Sequence, residues 1–162
     1  MKQLGIYIHI PFCKRKCYYC DFYSVCADET LIENYCKYLK QEIKDVGEGI
    51  KYDIENGGRE EIQIKTIYIG GGTPSFIDSK YIVQIMDSIK ENYNIDTKPE
   101  ITIEVNPGTV TRQKLLDYKE SGINRLSIGM QSSNNLTLEK IGRIHSWEEF
   151  LNTYKLAREV RF

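Results

Sequence analysis

The sequence predicts an α/β fold on a parallel sheet, and three observations carry that prediction. Short apolar stretches alternate with helical stretches four times along the chain. Such an order needs strand–helix–strand crossovers, which make neighbouring strands parallel. Each strand also alternates apolar with polar residues, where parallel strands covered on both faces usually read as continuous apolar runs. Finally, each strand is followed by unusual chemistry: "PFCKRKC", "GGGTPS", "NPGT" and "QSSNN". In parallel α/β folds that edge of the sheet is where active sites assemble.

The first strand is "LGIYIHI", residues 4–10. Asp28 is placed to cap a helix running to about Val46, with Ile32, Cys36, Leu39 and Ile43 on one face. Residues 47–64, rich in glycine and charge, read as a surface loop. "KTIYIGGG" is the second strand, followed by a helix from Asp78 to about Tyr93 with an apolar stripe of Ile82, Ile85, Met86 and Ile89. "EITIEVNPG" is the third strand, and "TRQKLLDYKESG" is a helix closed by Gly122. "NRLSIGMQS" is the fourth strand. Ser146 and Glu149 have capping-box spacing for a last helix to about Val160.

Residue parity assigns two faces to this sheet, because side chains alternate along a strand. Ile6, Ile8, Ile10, Ile67, Ile69, Ile101, Ile103, Val105, Leu126 and Ile128 fall on an apolar face suited to helices. Tyr7, His9, Tyr68, Thr102, Glu104, Asn106, Ser127 and Gln131 fall on the other. A curved sheet would turn that second face into the polar wall of a ligand cavity.

With 162 residues the chain fits one ordinary domain, and 22 Lys and Arg against 23 Asp and Glu give no electrostatic case for nucleic acid. The N-terminal apolar run is short and interrupted by His9, unlike a secretory signal. A reducing cytoplasm is therefore the expected compartment. Five cysteines is an odd number, and Cys13, Cys17 and Cys20 crowd into eight residues. That spacing points to metal rather than disulfides. Structural zinc wants four closed ligands, usually as two separated pairs, and a Cys17–Cys20 dithiol would leave Cys13 without a role. A 4Fe–4S cluster uses all three thiolates and leaves one iron open.

C-x3-C-x2-C with an aromatic before the last cysteine resembles the signature of the radical S-adenosylmethionine (radical SAM) enzymes. "IYIHIPFC…CYYCDF", "YIGGGTPS", "EVNPGT", "GINRLSIGMQS" and "IGRIHS" further resemble the oxygen-independent coproporphyrinogen III oxidase family, which includes a heme-chaperone branch. The resemblance runs through the chain in order. It implies about four βα units of a partial (β/α)6, TIM-like barrel, with residues 1–162 forming a radical SAM core domain truncated at its C-terminal side. It implies a 4Fe–4S cluster on Cys13, Cys17 and Cys20, with SAM bound at the open iron. It assigns SAM contacts to Tyr7, Tyr19, Gly71, Gly72, Thr73, Glu104, Gln131 and Arg143, with Gly70 completing the glycine motif. Glycines let a ligand reach backbone N–H and C=O groups, and arginine suits a carboxylate.

The family's oxidases carry a further cysteine two positions after the last cluster cysteine, where this chain has Phe22. That departure disfavours decarboxylation and favours the heme-chaperone branch, which carries heme to acceptor proteins. The resemblance also implies an electron donor such as a flavodoxin or ferredoxin. The alternatives are the oxidase itself and a zinc or dithiol binding module. His9 is expected to be structural or to support the cluster, Cys36 to lie in the core, and His145 to be a solvated loop residue.

Overall fold

The computed structural model describes residues 1–162. The chain runs β1 (Lys2–Ile10), α1 (Glu29–Glu55), β2 (Ile62–Gly71), a 3-10 turn (Pro74–Phe76), α2 (Ser79–Asn92), β3 (Ile95–Val105), α3 (Arg112–Glu120), β4 (Arg125–Ile128), α4 (Asn135–Lys140) and α5 (Trp147–Glu159). The strands lie in the order β1-β2-β3-β4, and every neighbouring pair is parallel. Strand order follows chain order, so each crossover steps the same way and, with the usual right-handed connection, drops its helix on the same side. Helix α1 packs on α2, α2 on α3 and α3 on α5. This is the predicted fold: part of a barrel wall, with helices outside.

Register lines up the two faces. Ile8, Ile69 and Ile103 pair across the sheet and are each 4% exposed or less. The next row holds Tyr7, Tyr68, Thr102 and Arg125. The first row packs against Ile82, Ile85, Met86 and Ile89 of α2 and Leu115 of α3 in a single core. Every α-helix begins on a residue whose side chain caps it. Asp28, Asp78, Asn134 and Ser146 each accept a hydrogen bond from a first-turn N–H, and Ser146 with Glu149 completes the capping box. Thr111 does the same for α3. Gly122 closes α3 at φ +94°. No helix is long and apolar enough to cross a membrane.

The structure corrects three expectations. Residues 47–64 are not a surface loop: α1 continues to Glu55, and β2 begins at Ile62. Gly47 is a packing residue here, since a Cβ would stand 2.9 Å from both the Cβ and the carbonyl oxygen of Asn92. Ile50 and Ile54 prolong the apolar stripe toward the core, and Lys44–Glu48 and Lys51–Glu55 pair one turn apart. The fourth strand ends at Ile128 instead of running on to the serines, because Gln131 takes a left-handed φ of +62°. A short helix, α4, follows where none was expected.

Candidate functional site

The loop after β1 carries the three clustered thiols. Phe12 anchors it in the core at 1% exposure. Cys13 N–H donates to Val25 O at 3.0 Å, and Val25 N–H donates to Pro11 O at 2.7 Å, so the loop is closed at its base. Its far side is tied to the end of α4: Tyr18 N–H donates to Ile141 O at 3.1 Å, and the Arg15 guanidinium donates to Gly142 O at 2.8 Å. Between these ties Cys13, Cys17 and Cys20 are half-buried, while Lys14, Arg15 and Lys16 are exposed. Cys26 is exposed and Cys36 is in the core, where burial pushes its thiol up to about 11.

The second strand delivers its glycines against that loop. Gly71 has φ +120°, and Gly72 N–H and Thr73 N–H donate to Ile10 O and Phe12 O at 2.9 and 2.8 Å. A Cβ on Gly72 would lie 2.9 Å from Phe12 O and 3.0 Å from Cys13 Sγ. A side chain at Gly72 would therefore push the cysteine loop away. Glu104, at the end of β3, points into the same space. Its carboxylate accepts from Tyr68 Oη at 2.7 Å and from Gly71 N–H at 3.1 Å. Burial, then the hydrogen bond to Glu104, raises the Tyr68 hydroxyl.

A chain of hydrogen bonds joins the loops. Asn106 Nδ2 donates to Thr73 Oγ1 at 2.9 Å. Thr73 Oγ1 lies 3.3 Å from Cys13 Sγ, and its own proton is free to point at that sulfur. The Arg143 guanidinium donates to Asn106 Oδ1 at 2.8 Å and Gly129 O at 3.1 Å. Its other terminal nitrogen faces Cys17 Sγ at 3.7 Å and Tyr19 Oη at 3.5 Å. Lys114 braces the network from behind: its Nζ donates to Ser75 O, Ile77 O and Thr109 O at 2.9, 2.8 and 3.3 Å. Burial lowers the Lys114 ammonium from its usual range.

These elements enclose a cavity of about 310 Å³. Cys13, Cys17 and Cys20 line it together with Tyr19, Phe22, Gly71, Gly72, Thr73, Glu104, Gln131 and Arg143. The donor set is three soft sulfurs beside a carboxylate, a guanidinium and open glycine backbone. It fits an iron–sulfur cluster with a polar, charged ligand next to it.

Two of the expected residues, Tyr7 and Gly70, do not line the cavity. Tyr7 is on the inner face but does not line the cavity; it stacks on Tyr68, and its hydroxyl bonds His9 Nδ1 at 3.0 Å. His9 Nε2 reaches Tyr23 O at 3.1 Å, so the imidazole braces the cysteine loop. His145 corrects the expectation of a solvated loop residue: it is 5% exposed and packed behind Arg143. Asn106, Ser127 and Gly129 line the cavity although no role had been assigned to them. Inward parity was the available signal for Asn106 and Ser127.

Comparison with known proteins agrees with this geometry. A family model described as the radical SAM superfamily matches residues 7–162. The chain is 39% identical over 158 residues to the heme chaperone HemW of Escherichia coli, covering 97% of this chain and 39% of that protein. Against HemW of Bacillus subtilis it is 37% identical over 161 residues, covering 96% and 39%. The chain thus spans about two fifths of the length of the curated relatives it matches. The solved structure of E. coli coproporphyrinogen III oxidase, a radical SAM enzyme, superposes with a TM-score of 0.82 at 27% identity, covering 96% of this chain and 34% of that one. The chain belongs to the radical SAM superfamily, whose members use a 4Fe–4S cluster and SAM.

Proposed function

We propose that this chain is the cluster- and SAM-binding part of a heme chaperone, which binds heme and passes it to acceptor proteins. One observation carries the reading: a single cavity is lined by all three clustered thiols and by seven residues expected at SAM, namely Tyr19, Gly71, Gly72, Thr73, Glu104, Gln131 and Arg143. Cys13, Cys17 and Cys20 would hold the cluster. When bound, it supplies one-electron chemistry at an iron left open for SAM.

The chain's own residues do the rest. Thr73 Oγ1 lies within hydrogen-bonding reach of Cys13 Sγ, and Arg143 sets positive charge beside Cys17 Sγ. Glu104 is held on both oxygens by Tyr68 and Gly71 and keeps lone pairs for ligand hydroxyl or ammonium groups. Gly71 and Gly72 leave backbone groups open to close approach.

Phe22 favours the chaperone over the oxidase. It lines the cavity where the oxidases of the family carry a cysteine, and a phenyl ring cannot replace a thiol in redox or proton chemistry. HemW is also the name of several relatives at 36–41% identity. The oxidase reading rests on the close superposition with coproporphyrinogen III oxidase. Under either reading the partners are a heme or porphyrin, an electron donor such as a flavodoxin or ferredoxin and, for the chaperone, heme-acceptor proteins, with the chain itself in the cytoplasm.

The test uses the full-length protein, reconstituted anaerobically with iron and sulfide. The expected result is stoichiometric heme binding with no conversion of coproporphyrinogen III. Sustained vinyl formation in that assay would overturn the assignment.

A further inference from the structure

His145 is the least accessible charged or titratable side chain near the cavity, yet it does not line it. Its neighbour Ile144 is 48% exposed, so local chain position does not account for the burial. Two contacts do. Arg143 Nε donates to His145 Nδ1 at 3.3 Å, and His145 Nε2 lies 3.2 Å from Met130 O.

These contacts fix the tautomer. A carbonyl oxygen only accepts, so Nε2 carries the proton and donates to Met130 O. Nδ1 then holds a lone pair, which an arginine N–H needs. Burial, then the nearby Arg143 charge, lowers the basicity of His145.

Both partners lead into the cavity. Arg143, held at Nε from behind, turns its terminal nitrogens toward Asn106, Gly129, Cys17 and Tyr19. Met130 precedes Gln131, whose left-handed backbone starts the turn after β4. One imidazole thus joins the only two cavity side chains contributed by residues beyond β4, Gln131 and Arg143.

We infer that His145 is a positioning residue that locks Arg143 and the Gln131 turn into one unit and thereby sets the affinity for SAM without touching it. The inference rests on the reading of the cavity as a SAM site. It requires a specific acceptor at Nδ1, beyond filling the space.

Three substitutions separate these roles in the reconstituted full-length protein. SAM affinity is read by equilibrium dialysis and by the change SAM causes in the electron paramagnetic resonance spectrum of the reduced cluster. Iron and sulfide content report cluster loading. His145→Phe fills the space without an acceptor and is expected to weaken SAM binding about 10- to 100-fold at unchanged cluster content, as loss of an outer hydrogen-bond partner does elsewhere. His145→Asn places Oδ1 near the position of Nδ1 and is expected to restore affinity to within about threefold, the residual being the lost Met130 contact. His145→Gln places its amide nearer the Nε2 position and is expected to bind about tenfold more weakly than the Asn variant. If the Phe variant does not fold, the Asn and Gln pair decides. Equal affinities for all variants, or equal losses in Asn and Gln, overturn the positioning role. A wild-type protein that takes up the cluster but no SAM overturns the reading of the cavity, and this inference with it.

Discussion

The two faces of the sheet are made by alternate residues of the same strands, yet they are built on different terms. On the outer face Ile67, Ile69, Ile101 and Ile103 are 3% exposed or less and pack into the apolar core. On the inner face Tyr68, Glu104 and Asn106 are half-buried, and each is held by hydrogen bonds to another loop or strand. Burial of apolar area is non-directional and holds the fold. Hydrogen bonds are directional and hold the site. The division predicts that stability and ligand binding can be broken separately.

The sharpest break is at the cysteine loop. Cys13→Ala in the full-length protein is expected to abolish cluster uptake, read as iron content after anaerobic reconstitution, while the unfolding of the cluster-free protein stays where it was. A coincident collapse of folding would merge the two faces into one unit. On the outer face, Ile103→Ala should cost about 2–5 kcal/mol, because the side chain is fully enclosed and its neighbours are fixed by sheet and helix. Denaturant unfolding followed by circular dichroism measures the cost, and SAM affinity well below the transition should not change. Returning to the inner face, Glu104→Gln removes the carboxylate charge and its charge-assisted bonds, worth about 1.5–3 kcal/mol. SAM affinity should fall by roughly 10- to 100-fold with cluster content retained, as equilibrium dialysis would show. The smallest effect tests the outer side's intolerance of unpaired polar atoms. Tyr118 is fully buried, and its hydroxyl has no hydrogen-bond partner. Tyr118→Phe should therefore leave stability unchanged or raise it by up to about 1 kcal/mol, seen as a thermal midpoint that holds or rises.

Much of this arrangement was legible in the chain itself because its signals are local. Strand parity separated Ile101 and Ile103 from Glu104, and the Ser146–Glu149 pair marked the start of the last helix. The C-x3-C-x2-C spacing lies within eight residues. The misreadings have the opposite character. Gly47 and Gly49 look like helix breakers, but Gly47 is set by its contact with Asn92, from a different helix. His145 looks like a loop histidine until Met130 and Arg143 close on it. Lys114 sits on a short polar helix, and only the folded chain brings three carbonyls from two loops onto its ammonium. Tyr7 has the right parity but lies off the cavity, because parity gives the face of a strand and not the distance along it.

The tether between the cysteine loop and the end of α4 bears on the order of biosynthesis. All three thiols emerge from the ribosome within the first 20 residues, whereas Ile141, Gly142 and Arg143 follow more than a hundred residues later. At typical rates of synthesis that gap lasts several seconds or more. The cysteines must spend it without the cap that Tyr18 and Arg15 later dock against. A nascent chain would thus carry its three clustered thiols well before the segment that later shelters them. Delivery of iron and sulfide after residue 143 would meet a loop already shaped to receive them.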